Sequence, residues 1–311
     1  MNDRPPPLFE TNRLGARRDR AMRRGFLEGA DFLWARAAEA LAERLDDTPR
    51  RFPRIAVLGT GAGHATAALG ARAAAADLTL VDPSAAMLER AGAAAPDAGR
   101  LHDPCEVLPL AEGSVDLALS LFLLHWQNDP IGHLVQLRRA LAPDGLMLGC
   151  LLGGGTLAAL RDAFVVAEAE ALGGVRPHVA PMADLRALGA ALQRAGFAMP
   201  VADVETVTVR YGDVLALMRD LRAMGETSLL AGRSRAPLRR AVLAQAAAQY
   251  ASRCGSGDGG VEARFDLMFL SGWAPGPDQP QAKRPGSAKA RLADALGTLE
   301  IPTGDKPGRE S

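Results

Sequence analysis

The sequence predicts an α/β protein with a mostly parallel, Rossmann-like sheet, helices on both faces and an antiparallel edge strand. One observation is that short apolar runs alternate with helical segments from residue 54 to residue 152. Such alternation is typical of parallel strands joined by helical crossovers. A second observation is that two late strands, 201–211 and 263–273, enclose two helical segments. This arrangement favours an antiparallel edge pair with a helical cap inserted between its strands.

The elements follow in a regular order along the chain. Residues 14–46 have helical periodicity, and TPRRFPR ends this segment before the first strand. The earlier strands are predicted at 54–59, 78–82, 114–124 and 145–152, with a weaker one near 100–103. The crossover and later helices are predicted at 63–76, 84–95, 130–141, 156–172, 182–195, 212–224 and 235–252.

Three regions follow from these patterns. We expect residues 1–50 to form a basic, helical N-terminal segment. Residues 51–273 are expected to form the main domain, in which residues 212–252 are the cap. Residues 274–311 are rich in proline, glycine and charge, so we expect them to be a disordered tail.

Composition excludes several classes of function. The 311 residues carry 36 basic and 36 acidic side chains, so the net charge gives no reason to expect a nucleic-acid partner. The only lysines, Lys283, Lys289 and Lys306, lie near the C-terminus, which removes lysine chemistry from the main domain. The three cysteines form no CxxC pair, so neither a disulfide framework nor a zinc site is expected.

No segment indicates a membrane span or a secretory route. No apolar stretch approaches the roughly 20 residues that cross a bilayer. The N-terminal MNDRPPPLFE lacks the apolar core of a signal peptide. We therefore expect a cytoplasmic protein without a transmembrane segment, and any membrane association is expected to be peripheral, through a partner.

The stretch AVLGTGAGH places three glycines behind a short apolar strand. A phosphate loop needs GxxxxGK[ST], and this stretch has no lysine. A dinucleotide fingerprint needs a small residue three positions after its second glycine, where this sequence has His64 or Thr66. The spacing of Gly59, Gly61 and Gly63 suits S-adenosylmethionine, because a Cβ at these positions would push the adenosine and methionine parts away.

Two acids are placed to bind the nucleoside part of this cofactor. Asp82 ends the second predicted strand, 19 residues after Gly63, where a carboxylate can accept both ribose hydroxyls. Asp103 follows the third strand and is the candidate for the adenine, with Glu106 as the alternative. The glycine loop, Asp82 and the strand order together predict S-adenosylmethionine as the cofactor.

Longer motifs resemble known families. The stretches LPLAEGSVDLALSLFLLHWQNDP and LAPDG are similar to class I, type 11 methyltransferases, and especially to the malonyl-carrier-protein methyltransferase of biotin synthesis. The stretches RPHVAPMADLRALGAALQRAGF, LALMRDLRAMGETS and RFDLMFLSGW resemble the methyltransferase-fold assembly factors of respiratory complex I. The resemblance covers most of residues 8–296, and residues 155–296 favour the assembly family over the biotin-pathway family.

The resemblance implies a class I methyltransferase fold and an enzyme that modifies a protein substrate, a complex I core subunit being the candidate. The mitochondrial member of the assembly family is an arginine hydroxylase of such a subunit. Three hypotheses therefore stay open. They are methyl transfer from S-adenosylmethionine, hydroxylation of an arginine, and a non-catalytic chaperone with an adapted cofactor pocket.

The sequence departs from the methyltransferase motif at Val57, where the family has Asp or Glu two residues before the first glycine. That acid helps to hold the amino end of the cofactor. Its loss removes a charge-assisted hydrogen bond of roughly 1.5–3 kcal/mol. We expect cofactor binding to be weaker by about one or two decades. A second departure is the serine of MGETS, where the family tends to have asparagine.

His125 and Trp126 follow the fourth strand, at the edge where ligands of this fold lie. His125 is a candidate general base, and Trp126 is placed to stack on a ring or a guanidinium, with packing as the alternative for both. Glu226, on the cap, is a candidate for meeting a cationic substrate. No H-x-D or H-x-E triplet occurs, so no metal site is predicted.

The arginines between residues 17 and 24 belong to the N-terminal helical segment. Their spacing is interpreted as a solvated helix face. The alternative is a surface that holds an acidic partner.

Overall fold

Seven strands form one sheet in a computed structural model that describes residues 6–25, 29–103, 106–233, 237–257, 259–277, 279 and 292–299. The strands are β1 (Arg54–Leu58), β2 (Asp77–Asp82), β3 (Gly99–His102), β4 (Val115–Leu121), β5 (Leu141–Leu152), β6 (Ala198–Tyr211) and β7 (Val261–Trp273). Their order across the sheet is β3-β2-β1-β4-β5-β7-β6. The weak strand expected near 100–103 is therefore present, as β3.

The first five strands run parallel to one another, and β7 and β6 are antiparallel to their neighbours. The predicted fold class, a mostly parallel α/β sheet with an antiparallel edge, is confirmed. In β6 exposed and half-buried residues alternate, as expected for an edge strand with one solvated face. The central strands β1 and β4 are almost entirely buried because helices cover both faces.

Helices precede the sheet, cross between its strands and lie between β6 and β7. They are α1 (Leu14–Arg23), α2 (Phe32–Asp46), α3 (His64–Leu69), α4 (Ala71–Ala74), α5 (Ala85–Ala94), α6 (Pro130–Ala140), α7 (Ala158–Leu172), α8 (Leu185–Ala195), α9 (Val214–Ala223), α10 (Arg240–Cys254) and α11 (Leu292–Leu296). The single helix predicted over 63–76 is broken at Gly70, whose φ of 52° lies in the left-handed region. None of the described helices is long and apolar enough to cross a bilayer.

Side-chain caps define where several helices begin. Ser84 accepts a hydrogen bond from the Met87 amide, and Asp129 accepts one from the Gly132 amide, at 3.1 and 2.8 Å. Each cap satisfies an amide that the first helical turn leaves without a partner. Only Pro83 separates Ser84 from the end of β2, so this cap starts α5 close to Asp82.

Two units divide the chain, residues 1–276 and 277–311. The first contains α1 to α10 and the whole sheet, so the N-terminal segment 1–50 packs in the same unit as the predicted main domain. Helices α9 and α10 fall within or beside the segment 212–252 that was predicted as a cap. Most of the predicted tail, 274–311, lies outside the described residues, among which α11 is a short helix.

Candidate functional site

The glycine loop follows β1 at the carboxyl edge of the parallel strands. Gly59, Gly61 and Gly63 have φ values of 73°, 53° and 104°, a region that side chains disfavour. A Cβ on Gly59 would lie 2.0 Å from the Leu121 carbonyl oxygen, and one on Gly61 would lie 2.4 Å from Cε3 of Trp34. The first glycine therefore meets the neighbouring strand, and the second meets the indole of α2.

Asp82 ends β2 beside this loop, as the sequence predicts. Its side chain is fully buried and accepts hydrogen bonds from the amides of Thr60 and Ser84, each at 2.8 Å. Burial raises the pKa of Asp82, although the Arg18 charge and the two amide hydrogen bonds act in the opposite direction. The loop and the acid are adjacent because the carboxyl ends of two paired parallel strands meet.

Arg18, on α1, reaches the same place from the N-terminal segment. Its guanidinium donates to the Phe122 carbonyl oxygen at 2.7 Å and lies 3.8 Å from Oδ2 of Asp82. It also lies over the Trp34 ring, 4.8 Å from the ring centroid. The Arg18 side chain is fully buried, so its expected place on a solvated helix face is wrong.

The position of Arg18 in the helix carries a signal for this burial. Leu14 and Ala21 are buried, four residues before and three residues after Arg18. Residues at these spacings share one face of a helix. The apolar stripe of α1 therefore predicts that Arg18 faces the core, whereas the charge of the residue alone predicts a solvated position.

Glu226 binds the other side of the Arg18 guanidinium. Its Oε1 accepts a hydrogen bond from Arg18 at 3.0 Å, and its Oε2 accepts one from the Trp126 indole N–H at 2.7 Å. The His125 ring nitrogen Nε2 lies 3.3 Å from the same Oε2. Burial alone would raise the pKa of Glu226, but the Arg18 charge and the contacts from His125 and Trp126 lower it to about 2.

His125 and Trp126 therefore both contact the carboxylate of Glu226. The His125 side chain is 1% exposed, and its ring packs 4.9 Å from the Trp126 ring. Trp126 also contacts Phe9 edge to face at 5.4 Å. The structure brings both residues to the carboxyl edge of β4, where the sequence places them, and their catalytic roles stay predictions.

Asp103 and Val57 complete the predicted set. Asp103 is buried, and its amide donates to the Asp82 carbonyl oxygen at 3.1 Å, so the two acids follow adjacent strands. Its contact with an adenine stays a prediction. Val57 is 0% exposed and belongs to the same apolar cluster as Trp34 and Phe122. The motif acid that Val57 replaces would therefore have apolar neighbours in this protein.

The chemical groups at this site are of the types that bind a nucleoside cofactor. Asp82 offers a buried carboxylate at the end of β2, and the loop is free of side chains at three positions. The buried Nε and Nη1 of Arg18 donate no hydrogen bond to a described residue, which suits a ligand carboxylate as acceptor. In this conformation, however, the Trp34 ring lies against Gly61, and the space beside it is a cavity of about 10 Å³.

A larger cavity, of about 470 Å³, opens beyond Trp126 and Glu226. Its apolar wall comes from α7, α9 and α10, with Leu160, Phe164 and Val242 among the lining residues. Polar groups that line the cavity include Glu168, also on α7, whose Oε1 lies 2.9 Å from Nε2 of His178. Apolar cavities with a few convergent polar groups are typical of small-molecule and side-chain binding sites.

No group of three or more histidine, cysteine, aspartate or glutamate side chains with metal-binding geometry occurs among the described residues. Cys105 lies outside those residues, and Cys150 is buried in β5 as a free thiol. Burial raises the pKa of the Cys150 thiol well above its ordinary value. The described cysteines thus give no indication of a metal centre at the sheet edge.

Comparisons with known proteins agree with this architecture. A methyltransferase-domain family model matches residues 57–149. The chain is 35% identical over 264 residues to the mitochondrial arginine-hydroxylase NDUFAF5 of Danio rerio, which covers 85% of this chain and 82% of that protein. It is 33% identical over 277 residues to the malonyl-[acyl-carrier protein] O-methyltransferase of Laribacter hongkongensis, covering 86% and 90%.

A solved structure shows the same fold at low sequence identity. The YcgJ protein of Bacillus subtilis superposes with a TM-score of 0.53 and 15% identity, covering 76% of this chain and 97% of that one. At that identity the likeness extends to the fold alone.

Proposed function

The chain belongs to the methyltransferase-fold family that includes arginine-hydroxylase NDUFAF5 and the malonyl-[acyl-carrier protein] O-methyltransferases, and from this premise we propose that it binds S-adenosylmethionine and modifies a protein substrate. The observation that carries the proposal is the buried Asp82 carboxylate beside the glycine loop. A buried acid next to backbone free of side chains suits the two hydroxyls of a ribose.

Arg18 is the proposed partner of the cofactor's carboxylate. The guanidinium has a buried Nε and Nη1 without hydrogen-bond partners among the described residues, and leaving them so is unfavourable. A carboxylate near Arg18 would satisfy them by charge-assisted hydrogen bonds. This contact offsets part of what the protein loses through Val57, because it holds the amino-acid end of the ligand by its acid instead of its amine.

S-adenosylmethionine, when bound, supplies an activated methyl group. The protein's own residues then position the acceptor, and the 470 Å³ cavity behind Trp126 is the proposed place for it. Trp126 is held by its hydrogen bond to Glu226, so its ring orientation is fixed at the cavity wall. His125 is the proposed base if the acceptor must lose a proton.

The proposed substrate is a protein in respiratory complex I assembly, since the relative with 35% identity over 85% of this chain is NDUFAF5. That relative's name also favours a second candidate, hydroxylation of an arginine side chain. Mass spectrometry distinguishes the two candidates. The mass of a complex I core subunit is compared between cells that carry the gene for this protein and cells that lack it. A methyl mass supports transfer, and an oxygen mass supports hydroxylation.

Calorimetric titration with S-adenosylmethionine tests the proposal. We expect micromolar binding by the natural protein and at least about tenfold weaker binding by Asp82→Asn, which loses the anionic acceptor. Asp77→Asn is the matched control, because Asp77 is exposed at the opposite end of the same strand. Absence of binding by the natural protein, with its fold intact by circular dichroism, would reject the cofactor assignment.

A further inference from the structure

A cleft lined by arginines lies between α1 and α9, and none of its described lining residues belongs to the glycine loop. Its volume is about 850 Å³, and seven of the twelve described residues that line it are arginines. No carboxylate is among these lining residues, although the chain as a whole has zero net charge. We call this feature the arginine cleft.

One wall of the arginine cleft is a row on and beside α1. Arg13, Arg17, Arg20 and Arg24 recur at intervals of four, three and four residues, so they share one face of the helix. At about 1.5 Å per residue the row extends for roughly 16 Å. A single phosphate or carboxylate is too short to meet all four, whereas about five residues of extended chain at roughly 3.3 Å each match the row.

The opposite wall comes from α9 and the segment that follows it. Arg219 and Arg222 lie on α9, and Arg233 lies in the segment after it. Neither Arg219 nor Arg222 belongs to an ion pair between described residues, and the same is true of Arg20 and Arg24. Arg20, Arg24 and Arg222 therefore have no ion-pair partner within the described part of the chain, whereas Arg219 interacts electrostatically with its neighbour Asp220.

The acids at or beside the arginine cleft include Glu10, Asp19, Asp220 on α9 and Glu226, of which Glu226 is paired with Arg18. Glu10 lies 3.0 Å from Arg13 and 3.7 Å from Arg233, at the rim. Asp19 is directed away, to the Ser84 hydroxyl at 2.6 Å. Burial, followed by the like charges of Arg233 and Arg13, lowers the pKa of Arg17 to about 10. This neighbourhood favours a ligand that brings negative charge.

The arginine cleft shares a wall with the 470 Å³ cavity. Arg222, Thr227 and Arg233 line both. A ligand that places one side chain in the apolar cavity can therefore continue along the arginines. None of the described residues that line the arginine cleft is aromatic, so this part of the cleft lacks the stacking surface that single-stranded nucleic acids use.

We propose that the arginine cleft docks an acidic segment of the protein substrate, next to the residue that is modified. The occupant is an extended run of aspartate and glutamate side chains, held by the two arginine walls. This inference rests on the proposed function for the role of the neighbouring cavity, and adds to it the class of sequence that the enzyme selects. Complementary charge of this kind mainly sets the association rate and the choice of partner.

Fluorescence anisotropy with a labelled decaglutamate peptide tests the proposal. We expect the natural protein to bind the peptide at low ionic strength, and added salt to weaken the binding. Arg20→Glu together with Arg219→Glu places an acid on each wall, and we expect at least about tenfold weaker binding. Arg186→Glu together with Arg194→Glu is the control, because these exposed arginines of α8 carry the same change in net charge outside the arginine cleft.

Three outcomes would overturn the inference. They are equal weakening by both double variants, pyrophosphate that binds the natural protein as tightly as the peptide does, and binding to anionic phospholipid vesicles without binding to the peptide. Calorimetry of the Arg20→Glu, Arg219→Glu protein with S-adenosylmethionine separates the two proposals. If the double variant keeps cofactor binding and loses peptide binding, the docking role is supported. If the natural protein binds the peptide but not S-adenosylmethionine, only the proposed function is rejected.

Discussion

The guanidinium of Arg18 lies 3.0 Å from the carboxylate of Glu226, although the two residues are 208 positions apart in the sequence. Both side chains are almost entirely buried, at 0% and 4% exposure. Asp82 lies on the other side of the same guanidinium at 3.8 Å. One cation thus connects α1, the end of β2 and the segment after α9, and the stability of the site depends on it.

We expect Arg18→Met and Glu226→Gln to be coupled. Arg18→Met leaves two buried acids without their cation, which costs about 3–5 kcal/mol of unfolding free energy. The double variant should cost clearly less than the sum of the two single variants. Urea denaturation measures all four proteins, and the exposed pair Arg36 and Glu205 provides a control cycle with coupling below about 1 kcal/mol. Additive costs at Arg18 and Glu226 would contradict the network.

The stability of the protein should fall in acid partly through Glu226. Its pKa is lowered from 4.5 to about 2 in the folded protein. The stabilisation is therefore fully present above pH 4.5 and is lost as the pH falls toward about 2. Urea midpoints measured between about pH 6 and about pH 3 should fall less steeply with decreasing pH in Glu226→Gln than in the natural protein. Glu112→Gln, at an exposed position, should keep the natural slope.

Restoring the motif acid at Val57 should not restore cofactor binding. Val57 is 0% exposed within an apolar cluster, so a carboxylate there would be buried among apolar side chains. We expect Val57→Asp to lose at least about 3 kcal/mol of stability at neutral pH. Val57→Thr, of similar volume, should lose less, since a hydroxyl is less costly to bury than a charge. Tighter binding of S-adenosylmethionine by a stable Val57→Asp protein would show that the side chain reaches the ligand.

Trp34 should report cofactor binding by its fluorescence. Its ring lies against Gly61, so a ligand that occupies the glycine loop changes the surroundings of the indole. Titration with S-adenosylmethionine should change the emission of the natural protein and of Trp273→Phe, whose indole lies at the far end of β7. Trp34→Phe should lose most of the change. An unchanged response in Trp34→Phe would place the ligand away from α2.

Much of the fold could be predicted because it depends on local patterns. Apolar strands that alternate with helices indicate a parallel sheet, and the alternating residues of β6 indicate an edge. Gly59 and Asp82 could be brought together without coordinates, since paired parallel strands end side by side. Predicting these features requires only the periodicity of apolar residues in helices and strands, together with the rule that ligands lie at the carboxyl edge of the sheet.

The charge network could not be predicted in the same way. Arg18 belongs to a helix rich in arginine, where most side chains are solvated, and only its place on the apolar stripe sets it apart. Its partner Glu226 lies after a helix of another region, and no periodicity relates α1 to α9. Long-range pairs of this kind depend on how helices pack over the sheet, which is decided by tertiary contacts instead of local sequence.

The distance in sequence between Arg18 and Glu226 has a consequence for synthesis of the protein. A ribosome adds roughly 5–20 residues per second, so the 208 positions from Arg18 to Glu226 take about 10–40 s to be synthesised. During that time Asp82 has already emerged, and it offers the first acid that the Arg18 guanidinium can meet. The N-terminal helix therefore acquires its final partner late in translation, when the segment after α9 leaves the exit tunnel.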